Sequence, residues 1–264
     1  MKLDDVGDGP PIVFVHGSFS TAAAWRDIGD RLHDRFRVVA PNLLGYGGTD
    51  HLSSKAEPSI HHQVALVEAV IDHVGEKVHL VGHSFGATVS LATALTCAPK
   101  LSTLTLVEPL PTEILKQTRE TEAFTDLRNL YNVYVEAFEK GERFACKHVI
   151  DYWGGEGSFD RFPETIKKYC EDTTGLNIRD WHAGWGFKPS LVEYRTLDVP
   201  TLIISGKLTH WVASKIAKGL ASLIPNNRHV EIGGGSHFVI STHPDQVATL
   251  IADHALNTAA RSNL

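Results

Sequence analysis

The chain contains 264 residues, of which 42% are hydrophobic, and it carries a formal net charge of −6 at pH 7. That length and apolar content are sufficient for one large α/β domain. The negative charge and the lack of a long Lys or Arg run argue against a nucleic-acid-binding surface. The sequence has neither an apolar leader nor a run of about 18 apolar residues, which predicts a cytoplasmic protein not associated with a membrane. Cys97, Cys146 and Cys170 lack paired spacing, which favours reduced thiols over a disulfide framework.

Apolar runs rich in β-branched residues alternate with segments of helical spacing in the first part of the chain. A turn at residues 6–11 follows at most one short strand. Buried strands are then predicted at residues 12–15, 37–40 and 78–81, and helices at residues 21–33 and 60–74. This alternation is typical of a parallel sheet wound by right-handed crossovers.

The alternation stops after a strand at residues 101–107. Residues 113–140 and 144–152 have helical spacing, but no comparable buried strand lies nearby. The pattern resumes with strands at 201–205 and 229–232 and helices at 211–223 and 244–255. We therefore predict a doubly wound, mostly parallel α/β sheet formed by residues 1–110 and 197–264, with a helical cap, or lid, at residues 111–196.

A glycine-flanked serine lies between the third long strand and the helix that follows it. Residues 82–86 read Gly-His-Ser-Phe-Gly, which is the G-x-S-x-G pattern of a nucleophile elbow. In this tight turn Gly82 and Gly86 avoid clashes between strand and helix, and the serine hydroxyl is lifted above the sheet. Ser84 is therefore the predicted nucleophile.

A serine hydroxyl needs a neighbouring base, because it is a poor nucleophile at pH 7. His237 follows three glycines at a strand end and comes after Ser84 in chain order, so it is the best candidate among the fifteen histidines. His16 and His83 border the same region, and we expect them to pack or form hydrogen bonds there. No H-E-x-x-H or paired Cys/His spacing points to a metal.

The chain resembles the α/β-hydrolase superfamily over nearly its full length. The resemblance depends on the His16-Gly17 pair after the first buried strand, the glycine-rich loop at residues 43–49, the elbow at Ser84, the insertion after the fourth long strand, and the late His237. It implies an α/β-hydrolase fold with a helical cap and a serine nucleophile, and it gives a reaction class without a substrate.

The acidic member of the expected triad departs from the commoner family pattern. Many members place an aspartate three residues beyond the glycine that ends the strand after the cap, but here Gly206 is followed by Lys-Leu-Thr-His. A minority carry the acid at the end of the preceding strand, where this chain has Glu108. Neighbouring strands are about 5 Å apart, so an acid moved by one strand still reaches the histidine. Asp198 and Glu231 are badly placed by comparison.

Acyl transfer also needs donors for a developing oxyanion. The Phe85 amide begins the elbow helix, and the resemblance implies the Ser18 amide as the second donor, with Phe19 as the fallback. Residues 111–195 hold fourteen of the twenty-two aromatic residues, which predicts an apolar or aromatic substrate. The predicted pocket residues are Phe19, Tyr152, Trp153, Trp181 and Trp185.

We therefore predict a serine hydrolase in which Ser84 attacks an ester-like carbonyl, His237 transfers the proton and Glu108 orients His237. Thioester, lactone, amide and carbon–carbon cleavage use the same groups. Two alternatives stay open: a cofactor-free dioxygenase of the same fold, and a ligand-sensing, hydrolase-like receptor. The expected partner is a small-molecule substrate, no cofactor is implied, and the sequence leaves the oligomeric state open.

Overall fold

The computed structural model of the protein describes residues 2–50 and 56–262. Within them, seven strands form one sheet in the order β1-β3-β2-β4-β5-β6-β7. β1 is antiparallel to β3, and all other neighbouring pairs are parallel. The strands are β1 (Leu3–Val6), β2 (Pro11–Val15), β3 (Arg37–Pro41), β4 (Val78–His83), β5 (Leu101–Val107), β6 (Thr201–Gly206) and β7 (Asn227–Ile232).

Helices cover both faces of this sheet, as expected for a doubly wound α/β fold. The α-helices are α1 (Arg26–Gly29), α2 (Ile60–Val74), α3 (Phe85–Cys97), α4 (Ile114–Gln117), α5 (Thr121–Glu139), α6 (Cys146–Gly154), α7 (Glu164–Asp172), α8 (Thr174–Gly186), α9 (Leu191–Thr196), α10 (Trp211–Leu223), α11 (Val239–Thr242) and α12 (Pro244–Ser262). Short 3₁₀ helices lie at Ala22–Trp25 and Ala98–Lys100.

The central strands are buried on both faces, so their side chains divide between two apolar clusters. Val13 and Val15 of β2 belong to a cluster shared with α2, α3 and α10, whereas Ile12 and Phe14 belong to one shared with α12. This division follows the two-residue period of a strand. It explains why the strands appear in the sequence as continuous apolar runs.

Two predicted helices differ from the structure. The prediction of one helix over residues 21–33 is wrong: Ala22–Trp25 is a 3₁₀ helix, α1 ends at Gly29, and turns follow. The end of α1 at Gly29 agrees with the low helix propensity of glycine, which is less favourable in a helix than alanine by about 1 kcal/mol. Residues 113–140 are likewise split into α4 and α5, because the backbone of Arg119 is left-handed with φ 60°.

Helices α4 to α9 occupy the chain between β5 and β6, and we refer to residues 111–196 as the insertion. Its aromatic side chains pack against one another and against the loops at the carboxyl ends of the strands. None of the described helices is long and apolar enough to cross a membrane.

Candidate active site

Ser84 lies at the turn between β4 and α3, in a conformation that L-residues rarely adopt. Its φ is 56° and its ψ is −123°. A Cβ atom at Gly82 would lie 2.4 Å from the Gly86 carbonyl oxygen, and one at Gly86 would lie 2.3 Å from the His16 carbonyl oxygen. Only glycine fits at both positions, and the Ser84 amide is fixed by a 3.0 Å hydrogen bond to the Val107 carbonyl.

His237 reaches Ser84 from the loop between β7 and α11. Its Nε2 atom lies 3.0 Å from Ser84 Oγ. The imidazole is 3% exposed and stacks against Trp153, with ring centroids 5.5 Å apart and an interplanar angle of 29°. The His83 ring nitrogen Nε2 lies 2.9 Å from the His237 carbonyl oxygen and fixes the backbone of this loop.

Glu108 follows β5 directly and lies behind the imidazole. Its Oε2 atom is 3.1 Å from His237 Nδ1, and the residue is 1% exposed. The Gly206 amide donates to Oε1 at 2.7 Å, and the Thr209 hydroxyl donates to Oε2 at 2.5 Å. These partners hold a buried carboxyl in place, since a buried polar group without hydrogen bonds is costly.

The arrangement joins three loops that follow β4, β5 and β7. Ser84, Glu108 and His237 therefore form a continuous hydrogen-bonded chain, although they are far apart in sequence. Glu108 has a left-handed backbone with φ 49°, which turns its side chain back over the end of the sheet. Asp198 and Glu231 are both exposed and lie outside this hydrogen-bonded chain.

The amides of Ser18 and Phe85 lie in segments that line the same cavity. Phe85 is the first residue of α3, where backbone N–H groups have no acceptor within the helix. Ser18 lies in the loop after β2, and the next residue, Phe19, has φ 58°. A carbonyl oxygen bound there would meet the positive end of the α3 dipole.

A cavity of about 700 Å³ opens beside Ser84. Its walls come from the insertion and from the loops at the carboxyl end of the sheet. Three of the five predicted pocket residues line it: Phe19, Trp153 and Trp181.

Tyr152 and Trp185 do not line this cavity. The Tyr152 hydroxyl donates to Asp126 at 2.7 Å, and its ring packs on His210 with the centroids 3.8 Å apart. Trp185 packs against Phe124. Tyr152 points away from the cavity because it and Trp153 are consecutive on α6, and successive residues on a helix point in different directions. Trp181 and Trp185 are four residues apart on α8 and share a face, so they differ in their position along the helix axis.

Two further buried histidines, His16 and His83, lie next to the site and are uncharged near neutral pH. Burial lowers the pKa of His16 to about 4 and the pKa of His83 to about 3. His16 Nδ1 lies 2.7 Å from the Gly17 carbonyl oxygen, and its Nε2 accepts a hydrogen bond from the Leu43 amide at 3.0 Å. His16 thus joins the loop after β2 to the loop after β3.

Three polar residues near the site are absent from the sequence prediction. Thr209 occupies the position where the commoner family pattern has its acid, and this position could have marked Thr209 as a site residue in the sequence. Asp180 and Asn177 on α8 both line the cavity and are almost fully buried. Burial raises the pKa of Asp180 to about 7. No motif marks either residue in the sequence.

Potential metal ligands are not clustered in the described part of the chain. Within residues 2–50 and 56–262, no group of three or more His, Cys, Asp or Glu side chains is arranged to hold a metal ion.

A serine in a strained turn, a histidine beside it and a buried glutamate behind the histidine are the parts used by serine hydrolases. The family model for the alpha/beta hydrolase fold matches residues 10–244. The chain belongs to this family, and its enzyme class is hydrolase.

Known proteins similar to this chain span most of its length. The chain is 25% identical over 255 residues to the pimeloyl-(acyl-carrier protein) methyl ester esterase of Aeromonas hydrophila, and the match covers 95% of this chain and 97% of that enzyme. MenH from S. aureus has a TM-score of 0.77 at 19% identity and 98% coverage of both chains. A thermophilic esterase from Thermogutta terrifontis has a TM-score of 0.77 at 22% identity, covering 97% of this chain and 93% of its own. At these identities the two structural matches establish the fold alone.

Proposed function

We propose that the protein is a serine hydrolase that cleaves an ester-like bond of a small, mostly apolar or aromatic substrate. The observation that carries this proposal is the continuous contact from Ser84 Oγ through His237 to Glu108 Oε2, with distances of 3.0 and 3.1 Å, at the wall of the cavity. Similarity to a methyl ester esterase over 95% of the chain supports a carboxylic ester as the bond that is cleaved.

In the proposed reaction Ser84 Oγ attacks the ester carbonyl carbon while its proton moves to His237 Nε2. The imidazolium then donates this proton to the leaving alcohol oxygen, the carbon–oxygen bond breaks, and an acyl-enzyme remains. His237 next removes a proton from water, and the resulting hydroxide attacks the acyl carbon. The bond between that carbon and Ser84 Oγ then breaks, the proton returns from His237 to Oγ, and the carboxylic acid leaves. Glu108 Oε2 accepts the hydrogen bond from His237 Nδ1–H and so keeps the imidazole in this orientation.

The Ser18 and Phe85 amides are the proposed oxyanion donors. Loss of one such donor costs about 3 kcal/mol of transition-state stabilisation in comparable enzymes. Because backbone groups do this work, side-chain substitutions at these positions change the pocket more than the donor.

The cavity walls support a mostly apolar substrate. Trp153 and Trp181 supply aromatic surface, and Trp153 also covers one face of the His237 ring. We propose that the insertion acts as the lid that shields the imidazole and the acyl-enzyme from bulk water.

The test is covalent labelling with a fluorophosphonate probe, combined with turnover of phenyl esters. Wild type is compared with Ser84→Ala, Glu108→Gln and Thr209→Asp. Ser241→Ala is the matched control, because Ser241 also lines the cavity but lies outside the hydrogen-bonded chain. Labelling is expected in wild type and Ser241→Ala, and it should disappear in Ser84→Ala.

Equal labelling of wild type and Ser84→Ala would refute the nucleophile. Oxygen uptake with a heteroaromatic compound, without turnover of any ester, would favour the dioxygenase alternative over ester hydrolysis.

A further inference from the structure

Asp180 is a buried acidic residue that the proposed reaction does not use. It lies on α8, is 5% exposed and lines the cavity. Ser18 Oγ donates to Asp180 Oδ2 at 2.6 Å, and Tyr46 Oη donates to the same oxygen at 2.5 Å. Since the Ser18 amide is a proposed oxyanion donor, Asp180 is held close to where the substrate carbonyl would bind.

The second oxygen of Asp180 has unused hydrogen-bonding capacity. The two donors, Ser18 Oγ and Tyr46 Oη, are both bound to Oδ2. No residue in the described part of the chain donates a hydrogen bond to Oδ1. Oδ1 is also not a fully enclosed atom without a partner, so it is partly open to space beside Asp180. Asp180 lines this cavity and also a smaller one of about 50 Å³ next to Arg179. A carboxylate oxygen in such a place accepts a hydrogen bond from whatever donor enters.

Asn177 lies about one helical turn before Asp180 and offers a hydrogen-bond donor, whereas Asp180 offers an acceptor. The Tyr134 hydroxyl donates to Asn177 Oδ1 at 2.9 Å, which leaves the carboxamide nitrogen to point elsewhere. That nitrogen has no acceptor among the residues that the structure describes, and Asn177 lines the cavity. Residues three apart on a helix are neighbours on one face, so an acceptor and a donor lie side by side.

The charge of the cavity restricts what this pair can bind. In the described residues, no Lys or Arg side chain lines the wall. A substrate carboxylate or phosphate would therefore meet the Asp180 carboxyl without a cation in the cavity wall, at a high desolvation cost, although Arg179 acts on Asp180 from outside this wall. A neutral group that both donates and accepts hydrogen bonds matches the pair better.

We propose that Asp180 and Asn177 form a subsite for a carboxamide in the acyl part of a neutral ester substrate. The amide N–H would donate to Asp180 Oδ1, and the amide carbonyl would accept from Asn177 Nδ2. The leaving oxygen has to lie beside His237 Nε2, so the acyl chain is the part that extends past Ser18 toward α8. This inference rests on the proposed esterase activity and names the class of substrate for the same site.

The test uses three phenyl esters that differ at one or two groups. Phenyl N-acetylglycinate carries an N–H where phenyl 4-oxopentanoate carries a CH₂, and phenyl pentanoate has neither the N–H nor the ketone. Phenol release is measured at pH 8, where Asp180 is mostly ionised. Beyond the ratio of their rates of hydrolysis by hydroxide, wild type should prefer the acetylglycinate over the oxopentanoate by at least about tenfold in kcat/KM, as expected for a hydrogen bond to a charged group.

Asp180→Asn should abolish that preference, because its nitrogen would face the substrate N–H. Asn177→Leu should reduce kcat/KM for the oxopentanoate to the level of phenyl pentanoate, whereas the acetylglycinate should keep its preference because Asp180 still accepts its N–H. Tyr46→Phe is the matched control: it removes a partner of Oδ2 without changing Oδ1, so it should affect all three esters by the same factor. The subsite would be overturned if Asp180→Asn kept the preference for the acetylglycinate and Asn177→Leu kept the advantage of the oxopentanoate over the pentanoate.

Binding to Ser84→Ala separates this inference from the proposed function. Quenching of tryptophan fluorescence reports occupancy of the cavity, since Trp153 and Trp181 line it. If wild type hydrolyses none of the esters but Ser84→Ala binds the acetylglycinate more tightly, and Asp180→Asn removes the difference, the esterase proposal fails and the subsite stands. Equal binding of all three esters would refute the subsite, whatever the turnover.

Discussion

Replacement of Glu108 by glutamine tests the proposed acid with a minimal change of shape. The amide oxygen of the introduced side chain would keep the hydrogen bond from the Gly206 amide, which now reaches Oε1 at 2.7 Å. Its NH₂ group would then occupy the position of Oε2, next to Thr209 and His237. The Thr209 hydroxyl can turn and accept one N–H, whereas the other N–H points at His237 Nδ1.

An imidazole that accepts at Nδ1 carries its proton on Nε2, facing Ser84, and cannot act as the base. A wrong tautomer of this kind lowers kcat by about 10⁴-fold in serine proteases. We expect a fall of about 10³- to 10⁴-fold here, which corresponds to about 4–5 kcal/mol in the activation free energy. The assay is steady-state hydrolysis of a phenyl ester, together with the rate of fluorophosphonate labelling.

Glu113→Gln provides the matched control. Glu113 is also a largely buried glutamate near the start of the insertion, but it pairs with Lys116 at 2.9 Å and does not contact His237. Its kcat should stay within about threefold of wild type. A Glu108→Gln variant that folds normally and keeps kcat within about tenfold of wild type would refute the assignment of the acid.

Three further predictions concern the supports of the site. Thr209→Val should lower kcat/KM by about tenfold, since it removes a hydrogen bond to the buried Glu108 carboxyl, while Thr209→Ser should restore most of the activity. The pKa of Asp180 is about 7 in the folded protein, so the folded chain keeps this proton between about pH 4 and 7. The unfolded chain has lost it in that range, and the free energy of unfolding therefore falls as the pH rises. Asp180→Asn should remove this loss, and urea unfolding should show its advantage over wild type growing by about 4 kcal/mol from pH 4 to pH 8. Gly86→Ala should lower the free energy of unfolding by at least about 2 kcal/mol, because its Cβ would meet two backbone carbonyl oxygens at 2.3 Å.

Each of these has an outcome that would contradict it. Equal kcat/KM for Thr209→Val and Thr209→Ser would assign the hydroxyl no role in holding Glu108. A constant difference in unfolding free energy between Asp180→Asn and wild type across the pH range would place the Asp180 pKa near its ordinary value. Gly186→Ala is the control for Gly86→Ala, since an added Cβ there meets nothing within 4 Å, and equal stability of the two variants would refute the steric argument.

The α/β architecture could be predicted from local patterns, and the same patterns pointed to candidate reactive residues. Continuous β-branched runs identified the buried central strands, and the residue types of the Gly82–Gly86 turn identified Ser84. The resemblance to the α/β-hydrolase family pointed to Glu108, at the end of β5, as a candidate acid, and the carboxyl ends of neighbouring parallel strands lie at the same edge of a sheet, so it could reach His237. Helix ends were less predictable, because the spacing of apolar residues does not reveal a single residue that is left-handed or has low helix propensity. The helix breaks at Gly29 and Arg119 are examples.

Only the tertiary structure decided which side chains of the insertion face the cavity and what holds Glu108. Trp153 and Trp181 line the cavity whereas Tyr152 and Trp185 pack elsewhere, although all four looked alike as aromatic residues in one segment. The Asp180 contact with Ser18 joins residues 162 positions apart, so no local pattern could reveal it. Sequence determines elements and their chemistry through neighbouring residues, whereas the pairing of distant polar groups depends on how helices pack over the sheet.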